Sequence, residues 1–350
     1  MKIFNKSEWK KVKLKDICDI LDSRRIPISE EKRIKGKYPY YGANGIQGYI
    51  NDYIFDEELV LLAEDGGNFG SKIKPIAYKI NGKTWVNNHA HVLKAKNEII
   101  STDFLLYSLM FYDVTKLITG TTRKKLTRTG MEKITLFIPN LDMQEKITNY
   151  LQEIEKFISL RKNQLNYLKE LVKSLFTRMF GDIKTNNKNW EINYWKDVLN
   201  IKNGKNQKQV EDKNGKYPIY GSGGIIGYSN AYICNENTII IGRKGNINKP
   251  ILVKEKFWNV DTAFGLETKR DKISYYYLYY FCLFYNFEIH NKAVTIPSLI
   301  KSDLEKILLP VPPIELQNKF AKKIEKIEKL SFNFWNTSFF NISNNKREVA

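Results

Sequence analysis

The chain has 350 residues, which suits two domains of ordinary size, and its hydrophobic fraction of 42% excludes a disordered protein. It carries 57 lysine and arginine residues against 38 aspartate and glutamate residues, and a net charge of +19 attracts polyanions. The three cysteines, Cys18, Cys234 and Cys282, form no Cys-x-x-Cys pair, which argues against a zinc site or disulfide framework and favours the cytoplasm. The most apolar stretch, residues 275–287, is too short to span a bilayer, so we expect no membrane partner.

In chain order, short apolar runs predict buried strands and packed helices in a mixed α/β (α+β) fold. Leu59–Ala63 is predicted to be a strand that ends in a glycine-rich turn, and Phe104–Phe111 a helix. Further along, Thr238–Ile241 is a second strand followed by such a turn, and Tyr275–Phe284 a second helix. The same order of elements therefore occurs twice.

Between the two sets lies a long predicted helix, with Asp142 as its N-cap, Glu145 in capping-box position and Gly181 as its stop. Its apolar residues alternate steps of four and three, the heptad pattern of a coiled-coil seam. The seam comprises Ile147, Leu151, Ile154, Ile158, Leu165, Leu168, Val172 and Leu175. At 1.5 Å per residue the helix is roughly 55 Å long, more than one small domain can bury, so it needs a partner.

The partner is predicted in the second set, where Phe320, Ile324 and Ile327 continue the same register. From Ser331 the sequence is rich in Asn, Ser and Phe and poor in helix formers, so this helix is expected to be short or frayed after residue 330. The predicted boundaries are 1–141 for the first domain, 142–181 for the central helix, 182–313 for the second domain and 314–350 for the C-terminal helix.

An internal repeat confirms this division at the sequence level. Tyr38–Tyr49 returns as Tyr217–Tyr228, with the shared pattern Tyr-Pro-x-Tyr-Gly-x-x-Gly-x-x-Gly-Tyr. Further anchors keep the same order: Trp9, Trp85, Ala90, Pro139 and Gln144 are matched by Trp190, Trp258, Ala263, Pro312 and Gln317. Two copies that each fill about half of the chain indicate a duplicated domain rather than a solenoid.

The paired Tyr-Gly segments and the Pro-Pro-Ile-Glu-Leu-Gln helix entry at Pro312–Gln317 resemble the specificity subunits of type I restriction–modification systems. The resemblance covers nearly the whole chain. It implies two tandem target recognition domains, each followed by a long helix, with the helices packed as an antiparallel coiled coil in a pseudo-twofold arrangement. In that family each domain reads one half of a split DNA site, and the helices set the spacing.

The resemblance also implies the partners and the absence of catalysis by this chain. Double-stranded DNA, two methyltransferase subunits and restriction–translocase subunits are the implied partners. No cofactor is expected on this chain, because S-adenosylmethionine, ATP and Mg²⁺ are expected on the partner subunits. Adenine methylation or restriction would then be carried out by the complex.

Residues that contact DNA are expected in loops between core elements, where polar side chains reach phosphates and base edges. The first set is a basic loop and its counterpart in the second copy: Thr122, Arg123, Lys124 and Lys125, with Thr295 and Ser298. The second set lies in or beyond the turns that follow the strands: Lys72 and Lys74, with Arg243, Lys244 and Lys249. The third set belongs to the Tyr-Gly segments, where a scaffold role is favoured: Lys37, Tyr41 and Asn44, with Lys216, Tyr220 and Ser222.

Enzyme interpretations find little support in the sequence. No methyltransferase Asn/Asp-Pro-Pro-aromatic motif, phosphate-binding loop or dinucleotide fingerprint is present. His89 and His91 would share one face of a strand, but two imidazoles without a third ligand make a weak metal site, and a hydrogen-bonding role is favoured. The main alternative is a coiled-coil protein adaptor without sequence-specific DNA readout, which a flat salt dependence of DNA affinity would indicate.

Overall fold

The computed structural model describes residues 8–269, 271–293 and 295–344, with the backbone alone described from 331 to 344. The first domain and its helix consist of β1 Lys10–Lys13, α1 Leu14–Ile17, β2 Cys18–Ile20, β3 Tyr38–Gly42, β4 Gly45–Ile50, β5 Phe55–Asp56, β6 Leu59–Ala63, β7 Ala77–Ile80, β8 Lys83–Val86, β9 Ala90–Ala95, α2 Thr102–Leu109, α3 Arg128–Met131, β10 Thr135–Ile138 and α4 Leu141–Phe180. The second consists of β11 Glu191–Tyr194, α5 Trp195–Val198, β12 Leu199–Asn203, β13 Tyr217–Gly221, β14 Gly224–Ser229, β15 Thr238–Gly242, β16 Ile251–Val253, β17 Trp258–Asn259, β18 Ala263–Thr268, α6 Tyr275–Phe284, α7 Lys301–Leu304, β19 Leu308–Val311 and α8 Ile314–Asn344.

The chain divides within α4. Among the described residues, those up to Arg161 form one compact unit, and those from Lys162 onward form the other. Each unit has its own core, so the duplication seen in the sequence is a duplication of folded domains. Among the described residues no helix combines the length and hydropathy needed to cross a membrane.

A four-stranded antiparallel sheet forms the centre of each domain. Its strand order is β2-β9-β6-β7 in the first domain and β12-β18-β15-β16 in the second. The central strands β6 and β15 are buried along their whole length, as expected for apolar runs covered on both faces. Because the sheets are antiparallel and the helices pack beside them, the fold is α+β.

A second sheet in each domain contains the Tyr-Gly segment as a hairpin. β3 pairs with β4 and β13 with β14, and both hairpins shift register at the same place, after Tyr40 and after Ile219. β3 also pairs in parallel with β8, and β13 with β17, which sets Trp85 and Trp258 at equivalent positions. The segment that recurs in the sequence therefore builds the same framework in each domain.

The junction between domain and helix differs from the predicted cap. Helix α4 begins at Leu141, and the Asn140 side chain accepts a hydrogen bond from the Met143 amide at 3.0 Å. Asn140 is thus the N-cap, and the prediction of Asp142 with a Glu145 capping box is wrong by two residues. At the other end Gly181 takes a φ of +83°, so the predicted glycine stop is where the structure has it.

The apolar residues predicted for the helix seam have different surroundings along α4. Val172, Phe320 and Ile324 are buried in the core of the second unit, and Leu175 and Ile327 pack against it. Ile147 packs instead on the core of the first domain. Leu151, Leu165 and Leu168 are half-buried.

The middle of α4 departs from the predicted continuous seam. Ile154 and Ile158 are 54% and 47% exposed, and neither belongs to a domain core. Sequence periodicity identifies an apolar face on a helix, but it does not say which of several neighbours covers each turn of that face. Within the second unit, the C-terminal part of α4 contributes Phe176 and Phe180, whose rings meet the Phe320 ring at centroid distances of 5.6 and 5.1 Å.

Helix α8 has 31 residues and continues to Asn344, so the prediction of fraying after residue 330 does not match the backbone. The helix is nevertheless shorter than α4, which has 40 residues. Intrinsic propensity is a weak guide to where a helix ends, and it misjudged the Asn- and Phe-rich stretch. Residues 345–350 of the predicted C-terminal segment lie outside the described residues.

A buried glutamine fastens each long helix to its domain. Gln144 accepts a hydrogen bond from the Ser101 amide at 2.9 Å and donates to the carbonyls of Ile99 and Pro139 at 2.9 and 3.0 Å. Gln317 repeats all three bonds, with the Ser274 amide and the carbonyls of Lys272 and Pro312. Neither side chain is exposed. The glutamine that recurs in the sequence is therefore a structural joint.

We predict that Gln317→Leu lowers the free energy of unfolding by about 2–4 kcal/mol, because it leaves one buried amide and two buried carbonyls without partners. Chemical denaturation of the chain measures this loss. Lys319→Ala, an exposed change on the same helix, serves as the control and should stay within about 0.5 kcal/mol. A Gln317→Leu loss as small as that of the control would show that the joint is not needed.

Candidate nucleic-acid interface

Three loops that were predicted separately from the sequence come together in the first domain. Asn44, in the β3–β4 turn, donates to the Gly66 carbonyl at 2.9 Å, and Asn68 donates to Asn44 at 3.1 Å. The turn after β6 also forms a β-bridge between Asp65 and Lys125, in the basic loop. The hairpin turn, the turn after β6 and the basic loop therefore form one surface.

The basic loop is held by acidic residues of the neighbouring turn. Arg123 pairs with Asp65 at 2.6 Å and Lys125 with Glu64 at 2.9 Å, while 67% of the Arg123 side chain is exposed. Lys124 is exposed and makes no ion pair or hydrogen bond with the described residues, and Thr122 is exposed beside it. The surface thus presents guanidinium and ammonium groups in defined positions, which suits contact with phosphates and base edges.

Further lysines lie on the same turn. Lys72 and Lys74 are exposed beyond β6, and Ser71 fixes this part of the turn by accepting a hydrogen bond from the Lys74 amide at 2.9 Å. Neither lysine side chain has an ion-pair partner among the described residues. These two lysines extend the basic surface beyond the Arg123–Asp65 ion pair.

The second domain brings the corresponding loops together by backbone contacts. The Gly245 amide donates to Pro297, and Lys244 forms a β-bridge with Ser298. A side chain at Gly242 would meet the Cβ atom of Ser222 at 3.1 Å, so the hairpin turn also lies against this turn. Exposed residues of this surface are Arg243, Lys244, Lys249 and Thr295.

Residues of the Tyr-Gly segments are mostly part of the framework. Tyr41 packs against Tyr78 with ring centroids 5.8 Å apart, and Tyr220 packs against Phe257 at 5.4 Å. Burial raises the pKa of the Tyr41 hydroxyl, and nearby Tyr49 adds to this. Lys37 and Lys216 lie over the rings of their neighbours, Tyr38 and Tyr217, at 5.3 and 5.6 Å. Asn44 and Ser222 are the segment residues that reach the loop surface.

Sequence reasoning missed a buried polar cluster beneath the first loop surface. His91, on β9, is 1% exposed and lies between the carboxylates of Asp22 and Glu64, at 2.6 and 3.7 Å. Arg25 pairs with Glu64 at 2.5 Å. The only sequence signal was the His-x-His pair, because the acidic and basic members come from distant turns that carry no motif.

The predicted pairing of the two histidines on one strand face is wrong. His89 lies in the turn before β9, where its Nδ1 atom approaches Asp65 at 2.7 Å. Asp22, Glu64 and His91 lie close enough together to be considered as metal ligands. However, Arg25 and Lys125 already occupy both oxygens of Glu64, so the described cluster fits a charge network better than a metal site.

The equivalent positions of the second domain have different chemistry. His91 pairs with Leu62 across the first sheet, next to the Ala63–Ala90 pair. Phe264 pairs with Ile241 across the second sheet, next to the Gly242–Ala263 pair, so Phe264 occupies the position of His91. Glu64 and Arg243 correspond because their carbonyls accept the amides of Leu126 and Leu299. In place of the histidine and carboxylate, the second domain has the Arg243 guanidinium 5.9 Å from the centroid of the Phe264 ring.

Comparison with known proteins agrees with the duplication. Residues 6–170 and residues 187–334 each match the family model described as the type I restriction modification DNA specificity domain. The chain is 26% identical to a putative type I restriction enzyme specificity subunit of Haemophilus influenzae, over 93% of this chain and 88% of the relative. It is 23% identical to a type I restriction enzyme specificity subunit of Methanocaldococcus jannaschii, over 92% and 87%.

Solved structures share the fold. The S subunit of a type I restriction–modification system from M. genitalium superposes with a TM-score of 0.65 at 16% identity, covering 96% of this chain and 94% of that chain. A second chain from a type I system gives a TM-score of 0.55 at 14% identity. With the family model matched twice over most of its length, this chain belongs to the specificity subunits of type I restriction–modification systems.

Proposed function

We propose that this chain reads a two-part DNA site, one half with each domain, and directs adenine methylation or restriction by partner subunits. Family membership supports the role in DNA sequence specificity. One observation supports a site of two different halves. The two domains share a framework, but their loops carry different side chains at equivalent positions. Two domains with the same loops would read the same half-site.

The two loop surfaces carry their positive charge at different places. In the first domain the cations stand on the loop, at Arg123, Lys124 and Lys125, above an acidic turn. In the second domain they stand on the turn, at Arg243 and Lys244, beside the uncharged residues 295–298. Both surfaces can therefore bind phosphates, while the side chains that face the bases are different.

In this proposal catalysis belongs to the partners. Two methyltransferase subunits would bind S-adenosylmethionine and flip the target adenine out of the duplex, and restriction–translocase subunits would use ATP and Mg²⁺. The specificity chain would bind none of these cofactors. As the surface for the methyltransferases we propose the outer face of α4, where Tyr150, Phe157 and Tyr167 are exposed.

The alternative of a protein adaptor predicts a different response to salt. We expect the DNA affinity of the purified chain to fall at least a hundredfold between about 50 and 200 mM salt, because each neutralised phosphate releases counterions. Fluorescence anisotropy with a labelled duplex measures this slope. Arg243→Ala combined with Lys244→Ala should make the slope shallower by about 2. An affinity that hardly changes with salt would support the adaptor and contradict DNA reading.

Arg123 and Lys124 are expected to contribute in different ways. Arg123→Ala should weaken binding by about 1–3 kcal/mol and relax discrimination at one base pair, because a guanidinium recognises a base edge with two hydrogen bonds. Lys124→Ala should weaken binding equally on all sequences and reduce the salt slope by about 1. Binding to duplexes changed one base pair at a time distinguishes the two, with Lys13→Ala, an exposed change on β1, as control. Equal effects of Arg123→Ala on every duplex would exclude base readout by this side chain.

We also propose that α4 fixes the spacing between the half-sites, as a rigid helix would and a flexible linker would not. Deletion of residues 154–160 removes one heptad, about 10 Å of helix, and keeps the heptad register. The gap in the methylated motif should change by about three base pairs, which sequencing of modified DNA detects. The control is Lys156→Ala with Lys162→Ala, which leaves the length unchanged. An unaltered gap after the deletion would contradict the role of α4 in spacing.

A further inference from the structure

The buried cluster in the first domain is linked directly to the loop that we propose as a DNA reader. We name residues 119–126 the first recognition loop. At its end the Leu126 amide donates to the Glu64 carbonyl at 2.7 Å, and the Leu126 carbonyl accepts from Nε2 of His91 at 2.8 Å. Both polar backbone groups of Leu126 are therefore bound to the cluster, and Lys125 is bound to it through the Glu64 carboxylate.

The hydrogen bonds determine which atoms of His91 carry protons. The Leu126 carbonyl can only accept, so Nε2 donates. At Nδ1 the ring faces the Asp22 carboxylate at 2.6 Å. Asp22 is further fixed because it accepts the Val92 amide at 2.9 Å. The imidazole thus bridges a rigid carboxylate on one side and the recognition loop on the other.

The charges around the ring balance one another. Burial alone would raise the pKa of Asp22 and of Glu64, but the hydrogen bonds and charges of their partners outweigh burial and hold both pKa values below their usual range. For Asp22 the main partner is His91, and for Glu64 the partners include Arg25 and Lys125. Two buried carboxylates therefore face the His91 ring, a guanidinium and an ammonium group, an arrangement that is stable only if all members are present.

The equivalent positions of the second domain do not form this cluster. Phe264 stands at the position of His91 and Arg243 at the position of Glu64, so no ring nitrogen can donate to the carbonyl of Leu299. There the loop is fixed by Asn291, which accepts the Ser298 amide at 3.0 Å, and by the bond from Gly245 to Pro297. Loss of the histidine would consequently affect one loop and leave the other intact.

We propose that His91 is a positioning residue for base readout: its Nε2–H bond to Leu126 fixes the first recognition loop and thereby sets the sequence preference of the first half-site alone. This inference rests on the proposed function. Base-edge contacts tolerate displacements of only about 0.5 Å, so a loop that loses one of its two hydrogen bonds at Leu126 loses discrimination even while the domain stays folded. The Lys125 and Arg123 side chains would still be present and would still attract phosphates.

Two isosteric variants separate positioning from general stability. In His91→Gln the side-chain amide nitrogen can take the place of Nε2 and keep the bond to Leu126. In His91→Asn the shorter amide takes the place of Nδ1, keeps the contact with Asp22 and leaves the Leu126 carbonyl without its donor. Both variants remove the buried imidazole ring, so both are expected to lower the melting temperature. Only the bond to the loop differs between them.

The experiment assembles the full complex with each variant and maps methylated adenines in a library that randomises both half-sites. His91→Asn should lose about tenfold or more of its discrimination in one half-site and none in the other, whereas His91→Gln should keep the wild-type motif. Phe264→Leu, the matched core change in the second domain, should leave the first half-site unchanged. The unaffected half-site reports in the same reaction that the variant is folded and assembled.

Each other outcome overturns a stated part of the account. Identical motifs from wild type and His91→Asn would show that the loop does not need this bond, and relaxed specificity in a folded His91→Gln variant would show that this bond does not set the preference. If His91→Asn fails to accumulate, relaxed specificity in a folded His91→Gln variant still overturns the proposal. A wild-type complex that assembles and yields no motif would instead contradict the proposed function.

Discussion

A backbone hydrogen bond at an equivalent place in each domain ties the recognition loop to the turn after the central strand. The amides of Leu126 and Leu299 donate to the carbonyls of Glu64 and Arg243, at 2.7 and 2.9 Å. Each carbonyl follows a strand, β6 or β15, that is buried along its whole length, so the accepting group cannot move without disturbing the core. Because this bond uses only backbone atoms, the side chains on both partners are free to vary. Glu64 and Arg243 occupy equivalent positions, and both accept the same backbone hydrogen bond.

That freedom comes with an electrostatic requirement. An acidic residue at the turn of the first domain needs compensating cations, and the chain supplies them from Arg25 and Lys125, with the His91 ring beside the same carboxylate. Such a network costs desolvation energy and is maintained only when its members are satisfied together. In the second domain the turn is basic, an aromatic ring replaces the histidine, and no such network is required. Variation of the loop chemistry is therefore coupled to variation in the core beneath it.

Much of the fold could be predicted from the sequence because repetition makes weak local signals reliable. The strand Leu59–Ala63 and the helix Tyr275–Phe284 have the predicted bounds, and the repeated Gln144 and Gln317 occupy the same joint in both domains. Details that depend on competing local partners were not predictable. Asn140 rather than Asp142 caps α4, since the choice between two capping residues that lie two positions apart depends on where the preceding strand ends.

The candidate site, too, could be predicted only in part from the sequence. The three loop sets that contain Asn44, Lys72 and Arg123 were identified from spacing and charge, and the structure brings their loops to one surface. The contribution of Asp22 was not visible, because a lone aspartate in a turn has no motif and becomes informative only when folding places it 2.6 Å from His91. Likewise the exposure of Ile154 and Ile158 could not be read from a heptad pattern, which records the apolar face but not its partner.

The central claim is that two domains with the same framework read two different half-sites. The most direct measurement expresses the natural chain with its methyltransferase subunit in a host without adenine methylation and maps the modified adenines by long-read sequencing. The account predicts a motif of two short, unequal halves separated by a fixed gap. A single contiguous motif, two identical halves, or an assembled complex that methylates without any sequence preference would contradict it.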